Sequence, residues 1–265
     1  MSDIMSDIRL IYEPGEGPMS VAVFLSGSGT NFEAIYEEQK ELEDAGERHY
    51  GRVDVVYTNV PGCRGAERAK EFGIPVVSLS SKRYFRDILE KNPGDEGIRD
   101  YYDAASLALV EEVCKPDLIV LAGYNRMLGK VFVSRYRNKI LNVHPGDTTK
   151  GFIGLGKDPI ADAIRAGEKY VKSTIFLVDE TLDLGPILIQ SKSIPVGDFT
   201  EDRAGKPQEI MKREGDWPIY RFAVHHLIAK GRVGIDRENN VYIDGVKMPK
   251  EGYQVDGYGY NYTKL

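Results

Sequence analysis

At 265 residues, with 42% hydrophobic and 29% charged side chains, the chain has the make-up of a globular protein able to bury one sizeable α/β core. A formal net charge of −6 gives no general footprint for nucleic acid, no apolar run approaches the ~20 residues that span a bilayer, and the first eight residues lack the basic and apolar regions of a signal peptide. Cys63 and Cys114 stand far apart and outside any CxxC or Cys/His spacing, so they fit reduced thiols of the cytoplasm, and no metal is expected.

The duplicated MSDI at the start reads as part of a flexible tail, residues 1–18, ahead of a single domain from 19 to 265. Residues 20–25 (SVAVFL) form a continuous apolar run, the pattern of a strand covered on both faces. It runs into the glycine loop Ser26-Gly27-Ser28-Gly29-Thr30-Asn31 and then into a helical pattern carried by Phe32, Ile35 and Leu42. Strands are expected at 53–57, 74–79 and 118–122, with helices at 65–72 and at about 101–114 between them. This alternation predicts a Rossmann-like α/β fold, a mostly parallel twisted sheet with helices on both faces.

Residues 140–143 follow a helical segment and read as a short buried strand that Pro145 stops. Glycine density then marks a long loop at 146–156, and a helix at 159–166 ends on Gly167 as a C-cap. Two strands are expected at 173–178 and 187–194, joined by an acidic loop with a Gly-Pro turn. Residues 208–230 look largely helical, with Pro218 starting a new helix or kinking one. A short strand and turn at 241–245 precede a Tyr/Gly-rich tail from Gly252 that reads as irregular.

Two motifs carry chemistry. In the glycine loop, a helix N-terminus aims free amides at one point and the glycines let an anion approach, although a tight turn with Asn31 as cap explains the same residues. It is neither a Walker loop nor a dinucleotide fingerprint, since it lacks GK[ST] and the third glycine. The second motif places Asn142, His144 and Asp183 at the ends of apolar runs. Such a set suits acyl transfer to an amine without a protein nucleophile. The amide and imidazole donate to the oxyanion, and the carboxylate holds the imidazolium or takes a proton. Singly, His144 also reads as a strand-end histidine bonded to a carbonyl, and Asp183 as a turn aspartate.

The glycine loop, LAGYNRML (121–128), ILNVHP, ETLDLGP and the C-terminal GRV…VYIDGVKMPKEGY together resemble the phosphoribosylglycinamide formyltransferases, of the folate-dependent formyltransferase superfamily. The similarity runs in order from about Val21 to Tyr253. It implies formyl transfer from 10-formyltetrahydrofolate to the primary amine of glycinamide ribonucleotide in purine synthesis. It also implies a phosphate-binding half to about residue 120 and a folate and catalytic half from about 121. By position, Asn142, His144 and Asp183 match the catalytic residues, and Gly27, Ser28, Gly29, Thr30 and Asn31 match the substrate-phosphate loop. Arg126, Met127 and Leu128 match folate-pocket residues, Val178 and Asp179 begin the loop that folds over the pterin, and Asp216 matches a glutamate that contacts the ribonucleotide. The partners implied are small molecules, with no nucleic acid or membrane, for a monomer or homodimer.

Two places depart from the family pattern. Gly146-Asp147-Thr148-Thr149-Lys150 replaces the usual Ser-Leu-Leu-Pro run after His144-Pro145, and Ile175 and Phe176 stand near the position of a usual histidine. Insertions at 43–52 and 91–99 read as surface loops. Three other readings stay in play, and the altered loop bears on the first. These are the same transfer to another phosphorylated or sugar-nucleotide amine, hydrolysis of the formyl folate, and a noncatalytic phosphometabolite-binding module.

Overall fold

A computed structural model describes residues 7–90, 97–153, 158–181, 184–196 and 207–255. The chain forms two compact units, Gly15–Leu141 and the pair Met1–Pro14 with Asn142–Leu265. The first strand, β1 (Arg9–Leu10), belongs to the second of these.

The unit Gly15–Leu141 runs β2 (Met19–Leu25), α1 (Thr30–Asp44), β3 (Gly51–Thr58), α2 (Arg64–Glu71), β4 (Val76–Ser78), α3 (Ser81–Leu89), α4 (Ile98–Glu111), β5 (Leu118–Leu121) and α5 (Lys130–Arg135). Its strands lie in the order β5-β2-β3-β4 and all pair parallel. Met19 and residues 21–25 are buried, as are all four residues of β5, which is why both read as unbroken apolar runs. The chain steps outward from β2 to β4, then returns across β2 to reach β5. Right-handed crossovers therefore put α1 and α2 on one face and the helices preceding β5 on the other. The reversal between β2 and β5 opens a crevice at their carboxyl ends, where open α/β sheets take ligands. Below it, the Phe24 ring packs 4.6 Å from Tyr57 and 5.6 Å from Tyr124.

Strand β6 (Ile140–His144) begins in that unit and ends in the other, which continues with α6 (Pro159–Arg165), β7 (Tyr170–Val171), β8 (Thr174–Leu177), β9 (Ile187–Gln190) and β10 (Ile194–Pro195). A long helical stretch follows, made of α7 (Pro207–Met211), a π-turn segment Lys212–Asp216, α8 (Trp217–Arg221) and a second π segment Phe222–Ile228. The unit closes with β11 (Val233–Ile235), β12 (Val241–Ile243), β13 (Val246–Lys247) and β14 (Tyr253–Gln254). Its strands run β14-β9-β8-β6 in one arrangement, β1-β11-β12-β13 in an antiparallel sheet, and β10-β7 as a pair.

The mixed α/β class with a mostly parallel sheet is the expected one, and the differences are local. Arg9 and Leu10, inside the stretch read as a flexible tail, pair with Ile235 and Gly234 of β11. The single strand expected over 187–194 is two strands: the ladder with β8 breaks where the Ser173 N–H donates to Ser191 Oγ at 2.9 Å instead of to a backbone carbonyl, and β10 pairs with β7. Tyr253 and Gln254, expected to be irregular, add a parallel strand beside β9, while residues 256–265 lie outside the described ones. Pro218 starts no separate helix: it lies in the first turn of α8, directly after the π segment, within one continuous helical stretch, and the Trp217 N–H before it donates to Lys212 O in the wider π register. No described helix is long and apolar enough to cross a membrane.

Candidate active site

Between the end of β2 at Leu25 and the start of α1 at Thr30, four residues turn the chain. Gly29 makes the turn with φ 73°, and a Cβ there would lie 2.5 Å from the Gly65 Cα. The Gly65 N–H donates to Gly27 O at 2.9 Å, so the loop and the start of α2 touch backbone to backbone. The residue capping α1 is Gly29 and not Asn31, and no side chain caps the helix. The first-turn amides of α1 are thus left for an outside acceptor. Gly27 and Ser28 are exposed and Thr30 is half-buried. Asn31 is only 7% exposed, yet its Oδ1 has no hydrogen-bond partner among the described residues. The cradle of free first-turn amides fits an anionic ligand, whereas the buried Asn31 Oδ1 is an acceptor and calls for a donor beside it.

Asn142 and His144 stand two residues apart on β6, and alternation along a strand turns both to one face. Fully buried Tyr220 brings its hydroxyl to the Val143 backbone between them, and burial pushes that phenol well above its ordinary range. His144 is 8% exposed, and its Nε2 lies 2.7 Å from Phe152 O. A carbonyl only accepts, so Nε2 carries the proton and Nδ1 is the basic atom of the neutral ring. Gly146 makes this closure fit, since a Cβ there would lie 2.9 Å from Phe152 O and 3.1 Å from His144 Cδ2.

The altered segment after Pro145 is tied down rather than loose. Thr174 Oγ1 donates to Gly146 O at 2.8 Å, and Gln190 Nε2 donates to Asp147 Oδ1 at 2.9 Å. Asp147 also accepts from the Thr149 N–H at 3.0 Å, which starts a short 3₁₀ turn at Thr148–Lys150. Asp183, the third residue of the expected set, lies outside the described residues, as do 154–157 of the glycine-rich loop. Described residues on either side of 182–183 are hydrogen-bonded. Asp179 Oδ1 accepts from the Thr181 N–H at 2.7 Å, and Leu177 N–H donates to Pro186 O at 2.9 Å. A Cβ on Gly185 would lie 1.9 Å from Leu177 O, so only glycine closes this turn.

The residues expected for folate divide between the units. In Gly15–Leu141, the Arg126 guanidinium lies 4.3 Å over the Phe85 ring, Met127 is 41% exposed and Leu128 is half-buried. The segment ends where the Gly129 N–H donates to the buried carboxylate of Asp103 at the start of α5. Burial pushes Asp103 up to about 6, against the pull of the Gly129 N–H and with a smaller push from Asp100. In the other unit, Val178 and Asp179 sit half-buried just past β8. Asp216 is 4% exposed, and Ser173 Oγ donates to its Oδ1 at 2.6 Å.

Sequence reasoning missed Phe85, Asp103 and the Thr174–Gln190 pair. Ser80, whose side chain accepts from the Arg83 N–H at 3.3 Å, is the capping signal that betrays α3 and with it Phe85. The other contacts join residues 26, 28 and 43 positions apart and leave no local pattern.

The chain matches the formyl transferase family over residues 19–216. It is 29% identical to phosphoribosylglycinamide formyltransferase of Escherichia coli K12 over 242 residues, covering 90% of this chain and 100% of the relative. It is 34% identical to the enzyme of the same name from Haemophilus influenzae, covering 88% of this chain and 97% of the relative. Among solved structures, the phosphoribosylglycinamide formyltransferase of Coxiella burnetii superposes with a TM-score of 0.67 at 28% identity, covering 89% of this chain and 99% of that one.

Proposed function

The chain belongs to the formyl transferase family, and from that premise we propose that it transfers the formyl group of 10-formyltetrahydrofolate to the primary amine of glycinamide ribonucleotide. The observation that carries the reading is the pairing of Asn142 with His144 on one face of β6, with the His144 proton held on Nε2 by Phe152 O. Formyl folate is the cosubstrate and supplies an electrophilic carbon with N10 as leaving group. A new bond joins the amine nitrogen to the formyl carbon, the bond from that carbon to N10 breaks, and the amine's proton ends on N10. Asn142 donates through its amide to the oxygen as charge gathers there. His144, once protonated at Nδ1, donates to the same oxygen and then passes that proton on. Asp183 is assigned by the resemblance alone to hold the imidazolium or receive the amine's proton.

The amides of Gly29, Thr30 and Asn31 would hold the ribonucleotide phosphate, and the absence of a side-chain cap on α1 supports that role. Arg126, Met127 and Leu128, and separately Val178 and Asp179, are the folate contacts that the resemblance assigns. The protein acts on small molecules. The rest of the reading is a single formyltransferase domain from residue 19, working in the cytoplasm as a monomer or homodimer without nucleic acid.

The test follows a ¹³C-formyl label from the folate. With glycinamide ribonucleotide the label should appear on its amine, and without any amine little formate should form. Rapid formate release without an amine would make the protein a hydrolase. Label on a sugar-nucleotide amine but not on glycinamide ribonucleotide would move the acceptor.

A further inference from the structure

We infer that Asn125 is a substrate-binding residue that sets specificity, its side-chain amide donating to an oxygen of whatever phosphorylated molecule the 27–31 loop holds. The inference rests on reading that loop as the phosphate site.

Four polar side chains interlock at the crevice between β2 and β5. Ser26 follows β2, Asn59 follows β3, Ser81 opens α3, and Asn125 lies in the turn after β5. The Ser26 N–H donates to Gly123 O at 3.1 Å, which sets this turn directly against the start of the glycine loop. The Asn125 N–H donates to Ser26 Oγ at 2.9 Å, and Ser26 Oγ donates to Asn59 Oδ1 at 2.6 Å. Asn59 Nδ2 then donates to Ser81 Oγ at 3.1 Å and to Asn125 Oδ1 at 3.0 Å.

In the structure the amide oxygen of Asn59 faces Ser26, which accepts from the Asn125 N–H and gives its one proton to that oxygen. Both N–H groups of Asn59 are left for Ser81 and Asn125. Asn59 is 3% exposed and both N–H groups of its amide are engaged. Asn125 must therefore turn its oxygen inward and its NH₂ outward. It is exposed, and no described residue accepts from that NH₂. An amide locked in this way offers donors only, so it selects for oxygens and against amines. The phosphate is served by the loop amides, and Asn125 reads what is attached to it. The ligand class is a sugar phosphate, whose hydroxyl and ring oxygens are acceptors.

Calorimetric titration of wild type, Asn125→Ala and Asn125→Asp with inorganic phosphate and with ribose 5-phosphate tests this. Wild type should favour ribose 5-phosphate by about 5- to 10-fold, the worth of one neutral hydrogen bond. Asn125→Ala should keep its phosphate affinity and lose most of that preference. Asn125→Asp retains the contact with Asn59 but replaces the outward donor by an acceptor, so it should weaken ribose 5-phosphate further. Full preference in Asn125→Ala overturns the inference, as does a wild type that binds phosphate without preferring the sugar. If wild type binds neither, the phosphate-loop reading itself fails and takes this inference with it.

Discussion

His144 has its proton on Nε2 because the atom it faces there is a carbonyl oxygen, and in the proposed reaction Nδ1 is the atom that takes up and gives protons. His144→Ala and Asn142→Ala should each lower kcat at least ~100-fold, the usual scale for losing an oxyanion donor or a proton carrier. Near wild-type turnover in both, in folded protein, would remove them from the chemistry. Asp103 makes a second claim at this scale. Its folded-state value of about 6 lies above the ordinary 3.8. Its stabilising contribution is therefore complete below 3.8 and is lost as the pH rises through about 6, where the fold must bury a charge that the unfolded chain leaves in water. Asp103→Asn keeps an oxygen for the Gly129 N–H, so its Tm should exceed that of wild type by several degrees at pH 8 and match it near pH 3.5. A less stable variant at pH 8 would contradict this. His144 was legible in the sequence because an apolar strand and Pro145 frame it. Asp103 was not, because its partner is 26 positions away and a lone aspartate in a helical pattern reads as solvated.

At the scale of elements, two glycine turns and one loop do the positioning. Gly29→Ala meets a positive φ of 73° and a backbone atom at 2.5 Å, neither of which a side-chain rotamer relieves. It should lower Tm by several degrees and abolish measurable phosphate binding, and normal phosphate affinity would sink the loop assignment. The loop after His144 departs from the family pattern, but Gln190 and Thr174 hold it from β9 and β8. Gln190→Leu should lower kcat about 10-fold through a misplaced His144, since small displacements of catalytic groups are costly. An unchanged kcat would mean the loop keeps its place without Gln190. The strands buried on both faces were readable from their apolar runs. The strands β1 and β14 were not, because two-residue strands exist only through the partners that pair with them. The π segments were equally silent, since apolar spacing alone does not separate five-residue from four-residue turns.

For the whole molecule, ordinary composition and a net charge of −6 say only what the protein is unlike, and order along the chain says what it is like. The motifs recur in family order, while the details that distinguish this chain from its relatives lie in contacts distant in sequence. Binding of the cosubstrate should register on the entire fold. A folate analogue at about 100 times its Kd should add roughly 2.7 kcal/mol of stability and raise Tm by several degrees. No shift at millimolar analogue would undercut the cosubstrate. The most direct test of the central claim is the kcat/KM for formyl transfer to glycinamide ribonucleotide. It should reach at least ~10⁴ M⁻¹s⁻¹, the low end for a physiological reaction. A value hundreds of times lower, in protein that still binds the folate, would contradict it.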